Sequence, residues 1–430
     1  MARRQKKDIF RWIMLIFLNL TLLIVAGCDD GGEDNSAMTP RMIADVNKPG
    51  VVLITNVYSA QISVPDFMIS QVQNQKLLQQ LSQQMQQGRF KNQQEVFEAY
   101  IEEILKNPSL YLVSSTHVIN QDVKAGCMGS GFIVTEDGYI VTNAHVVASS
   151  EEQLKEILVE DGLQQIIKKN MQGFQTELSR NGYTLSVANS DQLQRVIVQF
   201  YAKHVEVHNV KQQIYANLGM SKLEQGFPCQ IKKQGKAAPG KDIAILKADK
   251  TKLPIVQLGN DSESNAGDKI FVLGYPGAAT FNQILAQDAK LESTFTAGMV
   301  SARKSMPDKW DVLQVDAAIT HGNSGGPVFD DKGKVIGVVT FGSADEQGSM
   351  VQGMNFAIPV SIVKEFLQEI DVVPEKSELR QRYQIAVIDF SEGEYETALN
   401  DFSELHNEST EYPYVQEFME QAQKAMNKEK

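Results

Sequence analysis

The hydrophobic pattern of the chain changes period several times, and each change marks an element. Residues 51–58, VVLITNVY, form a β-branched, strand-like run. From 69 to 105 the spacing becomes helical. Val72, Leu78, Leu81 and Met85 make one stripe, and Val96, Tyr100 and Ile104 make another after a break at Gly88, which predicts a helical pair inserted at 65–107. The Gln-rich composition of this stretch does not outweigh its apolar periodicity. In GSGFIVTEDGYIVTNAHVV, residues 129–147, two apolar runs flank an Asp-Gly turn, a hairpin signal because glycine takes positive φ at little cost. Ser149 and Glu152 then make a capping-box pattern that opens helices over 149–203.

Short strands separated by glycine turns follow: HVEVHNV, PCQIKK, DIAILKA, KIFVLGYPG, STFTAGMVSA, VLQVDAAI, VIGVVTFG and MNFAIP, ending at Pro359. Many short strands at this spacing predict antiparallel barrels or a sandwich. The tail, 371–430, returns to helix. A helix around Tyr383–Phe390 precedes EGEYETALNDFSEL, which resembles one tetratricopeptide unit. One such unit cannot bury its own apolar face. Both a helical cap on the rest of the chain and a partner-binding groove follow from that pattern.

The first 27 residues have a separate logic. Arg3, Arg4, Lys6, Lys7 and Arg11 precede a 15-residue apolar run, 12–26, and small residues lead to Cys28. The order is that of an export signal, and the run is short for a membrane span. Val25-Ala26-Gly27-Cys28 resembles a bacterial lipobox, which implies cleavage before Cys28 and lipid on its sulfur; an uncleaved anchor is the alternative. Asp29 fits inner-membrane sorting, so the expected location is the bacterial envelope, facing the periplasm. Residues 28–40, acidic and Gly-rich, read as a flexible tether.

Composition adds two exclusions and one open question. Of 430 residues, 42% are hydrophobic and 22% charged, which is globular and long enough for two or three domains. The net charge of −12, with no basic run beyond residue 11, excludes a nucleic-acid partner. No metal or other cofactor is implied. Besides Cys28, only Cys127 and Cys229 remain, a pair that an exporting compartment allows to bridge or to stay as two free thiols.

The candidate chemistry is nucleophilic. ITHGNSGGPVF, residues 319–329, sets Ser324 among Gly322, Gly325 and Gly326 between two strand-like runs, where a bent, open backbone lets N–H groups face a substrate oxygen. Hydrolysis by serine also needs a base and a carboxylate to orient it. His145 ends a strand in TNAHVV and Asp242 opens one in GKDIAIL. Their order, His-Asp-Ser, is that of chymotrypsin-like enzymes.

GSGFIV…TNAHVV, DIAILK, GYPG, TAGMVSA, QVDAAITHGNSGGPV and NFAIP together resemble the Deg/HtrA family of trypsin-like serine proteases, motif by motif and in order. The resemblance covers 129–147 and 242–360, and more weakly 41–58. It implies two packed six-stranded β-barrels over 41–370, a mainly β protease core with helical insertions and an α-helical C-terminal segment. Ser324 is then the nucleophile, His145 the general base, Asp242 its orienting carboxylate, and the N–H groups of Gly322 and Ser324 the oxyanion hole. Ala318, six residues before the nucleophile, lies at the base of the specificity pocket, which favours small or medium aliphatic residues before the cut. His117, His204, His208 and His406 lack such context and read as structural.

Three departures from the family stand out. His321 replaces a proline common before Gly-Asn-Ser-Gly-Gly. The 97-position separation of His145 from Asp242 holds a helical insertion. After Pro359 no PDZ domain is expected, so that route to substrate capture does not transfer. Protein or peptide substrates, chiefly unfolded ones, are the expected partners, with the membrane reached through the lipid anchor; a homo-oligomer and a protein partner for the C-terminal helices are both allowed. The alternatives are a catalytically silent or latent scaffold using the helices, and an esterase on the same triad.

Overall fold

The computed structural model describes residues 37–280, 291–344, 350–374, 376–410 and 412–429. Cys28, the export segment 1–27 and most of the tether lie outside the described residues. After helix α1 (Pro40–Asn47) come strand β1 (Val51–Ile69), helices α2 (Gln71–Gln86), α3 (Gln93–Lys106) and α4 (Pro108–Tyr111), then β2 (Leu112–Ile133) and β3 (Tyr139–Thr142). Three helices follow, α5 (Ala144–Val147), α6 (Glu151–Arg180) and α7 (Val187–His204), before β4 (Glu206–Leu218), β5 (Phe227–Gln234) and β6 (Ala244–Ala248). The second half runs β7 (Lys269–Gly274), α8 (Gly277–Thr280), β8 (Thr294–Ser305), β9 (Asp311–Val315), β10 (Pro327–Phe329), β11 (Val335–Ala344), β12 (Met350–Pro359) and helices α9 (Val360–Gln368), α10 (Glu378–Glu392), α11 (Tyr395–Glu408) and α12 (Val415–Glu429).

The strands close into two six-stranded antiparallel barrels, β1-β2-β3-β6-β5-β4 and β10-β11-β12-β9-β8-β7, so barrels and not a sandwich are what the short strands build. Closure removes sheet edges and lets alternate residues fill each interior. Val52, Ile54, Ile133, Ile140 and Leu246 fill the first barrel; Val272, Val300, Leu313, Ile336 and Val339 fill the second. The Asp-Gly hairpin forms between β2 and β3, with Gly138 at φ +102.

β1 and β2 run well past the first barrel, paired from Val51↔Phe132 to Ile69↔Leu112 with a register shift between Pro65 and Phe67. With the start of β4 they form a sheet extension whose one face carries α2, α3, α6 and α7, around Ile62, Val64, Leu81, Ile104, Val123, Ile166 and Ile197. Both helical insertions expected from sequence are present, but three details differ. Residues 65–69 and 112–128 are strand: the first half of β2 buries one face only and is otherwise polar, so it lacks the apolar density that marks a barrel strand. On α2 the buried residues are Leu77 and Leu81, while Val72, Leu78 and Met85 stay exposed. The cap of α6 is Ser150, whose hydroxyl accepts the N–H of Gln153 at 3.1 Å, one residue later than Ser149.

Cys127 and Cys229 are two free thiols. Register explains why no bridge forms: Cys127 pairs with Asn56, Asn56 with Ile214 and Ile214 with Cys229. β2 and β5 are thus three strand spacings of about 4.8 Å apart, on opposite sides of the barrel and beyond the ~7 Å Cα reach of a disulfide.

The C-terminal helices have their own aromatic core, where Tyr383, Phe390, Phe402 and Phe418 meet edge-on or stacked. α10 ends at Gly393, φ +90, a left-handed cap. The group packs on α1: the Tyr383 hydroxyl donates to the Asp45 carbonyl at 3.2 Å and the Arg380 guanidinium to Asn47 Oδ1 at 3.3 Å. A third helix, α12, within the tail expected to be helical, completes this core through Phe418.

Candidate active site

β3 ends at Thr142, and Asn143 and α5 carry the chain to His145 at the mouth of the first barrel. Asp242 comes in from the residues before β6. The Asn143 side chain donates to the Asp242 carbonyl at 2.7 Å, tying the two segments together. The Asp242 carboxylate, 2% exposed, then accepts three hydrogen bonds: the His145 N–H at 2.9 Å, the Thr340 hydroxyl at 2.8 Å, and His145 Nδ1 at 2.6 Å. Since a carboxylate only accepts, the network assigns the ring proton to Nδ1 and leaves the Nε2 lone pair free. The His145 side chain is 40% exposed, so Nε2 stays open to a reactant.

Ser324 belongs to the other barrel, on the turn between β9 and β10. The glycines around it answer to distance as well as to φ. Gly322 has φ +102, and a Cβ there would lie 2.4 Å from the Tyr275 carbonyl; Gly325 has φ +87, with the Ser130 carbonyl 2.1 Å from its Cβ position. The turn is held by its carbonyls. His321 O accepts from Gly277 N–H at 2.8 Å and Asn323 O from Gly326 N–H at 2.9 Å. In a planar trans peptide the N–H points opposite the carbonyl. The N–H groups of Gly322 and Ser324 therefore face away from these anchors, and neither has a protein acceptor among the described residues.

The two halves of the site meet through Thr340 on β11. Its hydroxyl donates to Asp242, and its carbonyl accepts the Ser324 hydroxyl at 3.1 Å. Gly129 lies where the barrels pass close: a Cβ there would lie 2.9 Å from the Ser324 carbonyl, and 2.6 Å from Val146 Cγ2 on its own side. His145 and Asp242, 97 positions apart in the chain, and Ser324, 82 positions beyond Asp242, thus share one cleft. Among the described residues no hydrogen bond joins Ser324 to His145; the serine proton is turned to Thr340.

Sequence reading missed Ser130. Fully buried, it donates its N–H to the Ser324 carbonyl at 2.8 Å and its hydroxyl to the Gly322 carbonyl at 2.7 Å, and accepts the Tyr275 N–H at 2.8 Å. One β2 residue thereby clamps the turn on both sides of Asn323. Thr340 was missed too. The available signal was a polar residue inside an otherwise apolar or glycine-only strand motif, GSGFIV and VIGVVTFG.

The remaining expected residues take plainer places. Ala318 is exposed on the segment leading to the turn, its carbonyl accepting from the Thr296 hydroxyl at 3.2 Å. His321 is exposed beside the turn. His117, His204 and His208 lie in the inserted lobe: His117 is 3.7 Å from Asp66, His208 is 3.3 Å from Glu206, and His204 Nδ1 bonds the Phe200 carbonyl.

Residues 129–338 match the family described as a trypsin-like peptidase domain. A probable periplasmic serine endoprotease DegP-like of Hahella chejuensis is 27% identical over 250 residues, 57% of this chain and 36% of that protein. Serine protease HTRA4 of Mus musculus is 27% identical over 292 residues, 66% of this chain and 42% of that protein. The solved structure of HtrA-type protease AlgW with decapeptide aligns at 19% identity and a TM-score of 0.40, over 77% of this chain and 67% of that one. The chain spans about two fifths or less of the length of these two curated relatives. The two barrels, the match of residues 129–338 to a trypsin-like peptidase domain and the DegP-like and HTRA4 relatives together support membership of the Deg/HtrA family of trypsin-like serine proteases.

Proposed function

We propose that the protein is a serine endopeptidase of exported or misfolded proteins. The observation that carries this reading is the hydrogen-bonded chain His145–Asp242–Thr340–Ser324, which spans both barrels. In the reaction the Ser324 hydroxyl turns from the Thr340 carbonyl to His145 Nε2 and its oxygen attacks the scissile carbonyl. The proton passes to Nε2, and Asp242 stabilises the imidazolium. The N–H groups of Gly322 and Ser324 take the developing oxyanion. Collapse expels the amine, protonated by His145, and leaves an acyl-Ser324 ester, which water hydrolyses by the same proton path in reverse. Ala318 offers no charge for Arg or Lys, so cuts fall after small or medium aliphatic residues, a preference of about 1–3 kcal/mol per methylene.

Lipid on Cys28 holds the enzyme to the envelope membrane, facing the periplasm; the lipobox-like residues support this, as does the word periplasmic in the DegP-like relative's name. The C-terminal helices, with their tetratricopeptide-like pattern, present a surface for a protein partner. No triad residue is replaced, which weighs against the silent scaffold. The test is digestion of unfolded casein by the full chain in mild detergent. Wild type is expected to cut after aliphatic residues and Ser324→Ala to lose at least a thousandfold in kcat/KM. Equal rates for the two would overturn the assignment, and turnover confined to small esters would move the reading to an esterase.

A further inference from the structure

We propose that the open edge of β2, from Met128 to Val118, receives the polypeptide on the leaving-group side of the scissile bond as an added β-strand; the proposal rests on the endopeptidase reading. Along its outer side β2 pairs with β3 only at Phe132 and Ile133, whereas β1 covers its whole inner side. Ser130 fixes which groups face outward. Its N–H goes to the Ser324 carbonyl and its own carbonyl accepts the Thr142 hydroxyl at 2.7 Å, both away from β1. In an antiparallel pair this orientation recurs at every second residue. The register is unbroken from Val51↔Phe132 to Pro65↔Val118, so the main-chain groups of Met128, Gly126, Lys124, Asp122, Asn120 and Val118 face the same open side. All six residues are exposed, and for Gly126 exposure means the backbone itself. Among the described residues the one hydrogen bond to these groups is from Gln121 Nε2 to the Asp122 carbonyl, 2.9 Å.

The occupant follows from where the edge begins. It starts two residues before Ser130, which holds Ser324, and it borders the His145 side of the cleft: the Cys127 thiol donates to the Val146 carbonyl at 3.2 Å, and Val146 crowds Gly129. His145 protonates the departing amine, so the chain beyond the cut leaves past His145, along β2. From Val118 to Met128 the edge spans about 33 Å, enough for roughly ten residues of extended chain. The side chains there are mixed: apolar Met128 and Val118, charged Lys124 and Asp122. Recognition would rest on main-chain hydrogen bonds, which tolerate any sequence without proline, as an enzyme for unfolded chains requires.

The test uses the full chain and synthetic peptides with valine before the cut, followed by two, six or ten Ser/Thr residues. For wild type, kcat/KM is expected to rise at least tenfold from two to ten. Lys124→Pro, which removes an outward N–H and leaves pairing with β1 intact, is expected to abolish that rise, and Lys124→Ala to keep it. In the Ser324→Ala protein the ten-residue peptide, and not the two-residue one, is expected to slow amide exchange across 118–128 at least tenfold. A flat length series, equal loss in Lys124→Ala, or unprotected amides would overturn the proposal. So would protection that grows with protein concentration without peptide, which would assign the edge to a second copy. If wild type cuts no peptide and a fluorophosphonate does not label Ser324, the endopeptidase reading fails, while amide exchange still decides whether the edge takes a strand.

Discussion

Ser130 shows how much of the site depends on a residue with no chemistry of its own. Its hydroxyl holds the Gly322 carbonyl and receives the Tyr275 N–H, both in a fully buried setting. Removing it strands a buried donor and a buried acceptor, a penalty of about 1–3 kcal/mol each, and frees the Gly322–Asn323 peptide, which lies between the two N–H groups proposed for the oxyanion. Ser130→Ala is expected to lower kcat by about 10²-fold with little change in KM, measured on a short peptide substrate. A rise in KM at constant kcat would show that the clamp serves binding instead.

At the scale of elements, α6 provides a paired test of what packs the inserted lobe. Gly162 faces the sheet extension, where a Cβ would lie 2.2 Å from Ile62 Cδ1 and 2.7 Å from Val123 Cγ1; Gly173, on the same helix, has nothing within 4 Å. Alanine gains up to about 1 kcal/mol of helix propensity at either position, but overpacking costs typically 1–3 kcal/mol. Gly173→Ala is therefore expected to stabilise the protein and Gly162→Ala to destabilise it by about 1–2 kcal/mol, read from urea midpoints. The same stabilisation at both positions would mean that α6 is not seated on β1 and β2 as described. The sequence pattern located these helices well because their apolar stripes are local. On α2 it included the buried Leu81 but set Val72, Leu78 and Met85 inward in place of Leu77, since which side of a Gln-rich helix is covered depends on the neighbour it meets.

At the scale of the whole molecule, the joint between the C-terminal helices and the barrels is built on tyrosines. Tyr275, Tyr383, Tyr412 and Tyr414 all have their hydroxyl pKa raised, chiefly by burial. Their hydroxyls bond inward: Tyr414 to Glu292 at 3.1 Å, Tyr383 to the Asp45 carbonyl at 3.2 Å, Tyr275 to the Val51 carbonyl at 3.4 Å. In the unfolded chain these groups lose their protons near pH 10, while the folded state keeps them. Stability is thus complete below about pH 10 and falls as pH rises above it, by up to about 1.4 kcal/mol per pH unit for each tyrosine. Urea unfolding at about pH 9 and pH 11 is expected to show that loss, reduced by Tyr414→Phe. An unchanged midpoint would mean that these hydroxyls ionise without disturbing the fold.

Sequence alone determined the strand-rich core, the helical insertions, the chemistry-bearing motifs and their order, because each of these is written in local periodicity or in a short run such as HGNSGGP. What brings Ser324 and Asp242 onto the same threonine, and His145 onto Asp242, is barrel closure and the packing of one barrel on the other. The contacts onto Asp242 join residues 97 and 98 positions apart and the Ser324–Thr340 contact residues 16 apart, and no local pattern encodes them. The same holds for the separation of Cys127 from Cys229 and for the open edge of β2: both follow from strand register, which is settled only when every strand has chosen its neighbours.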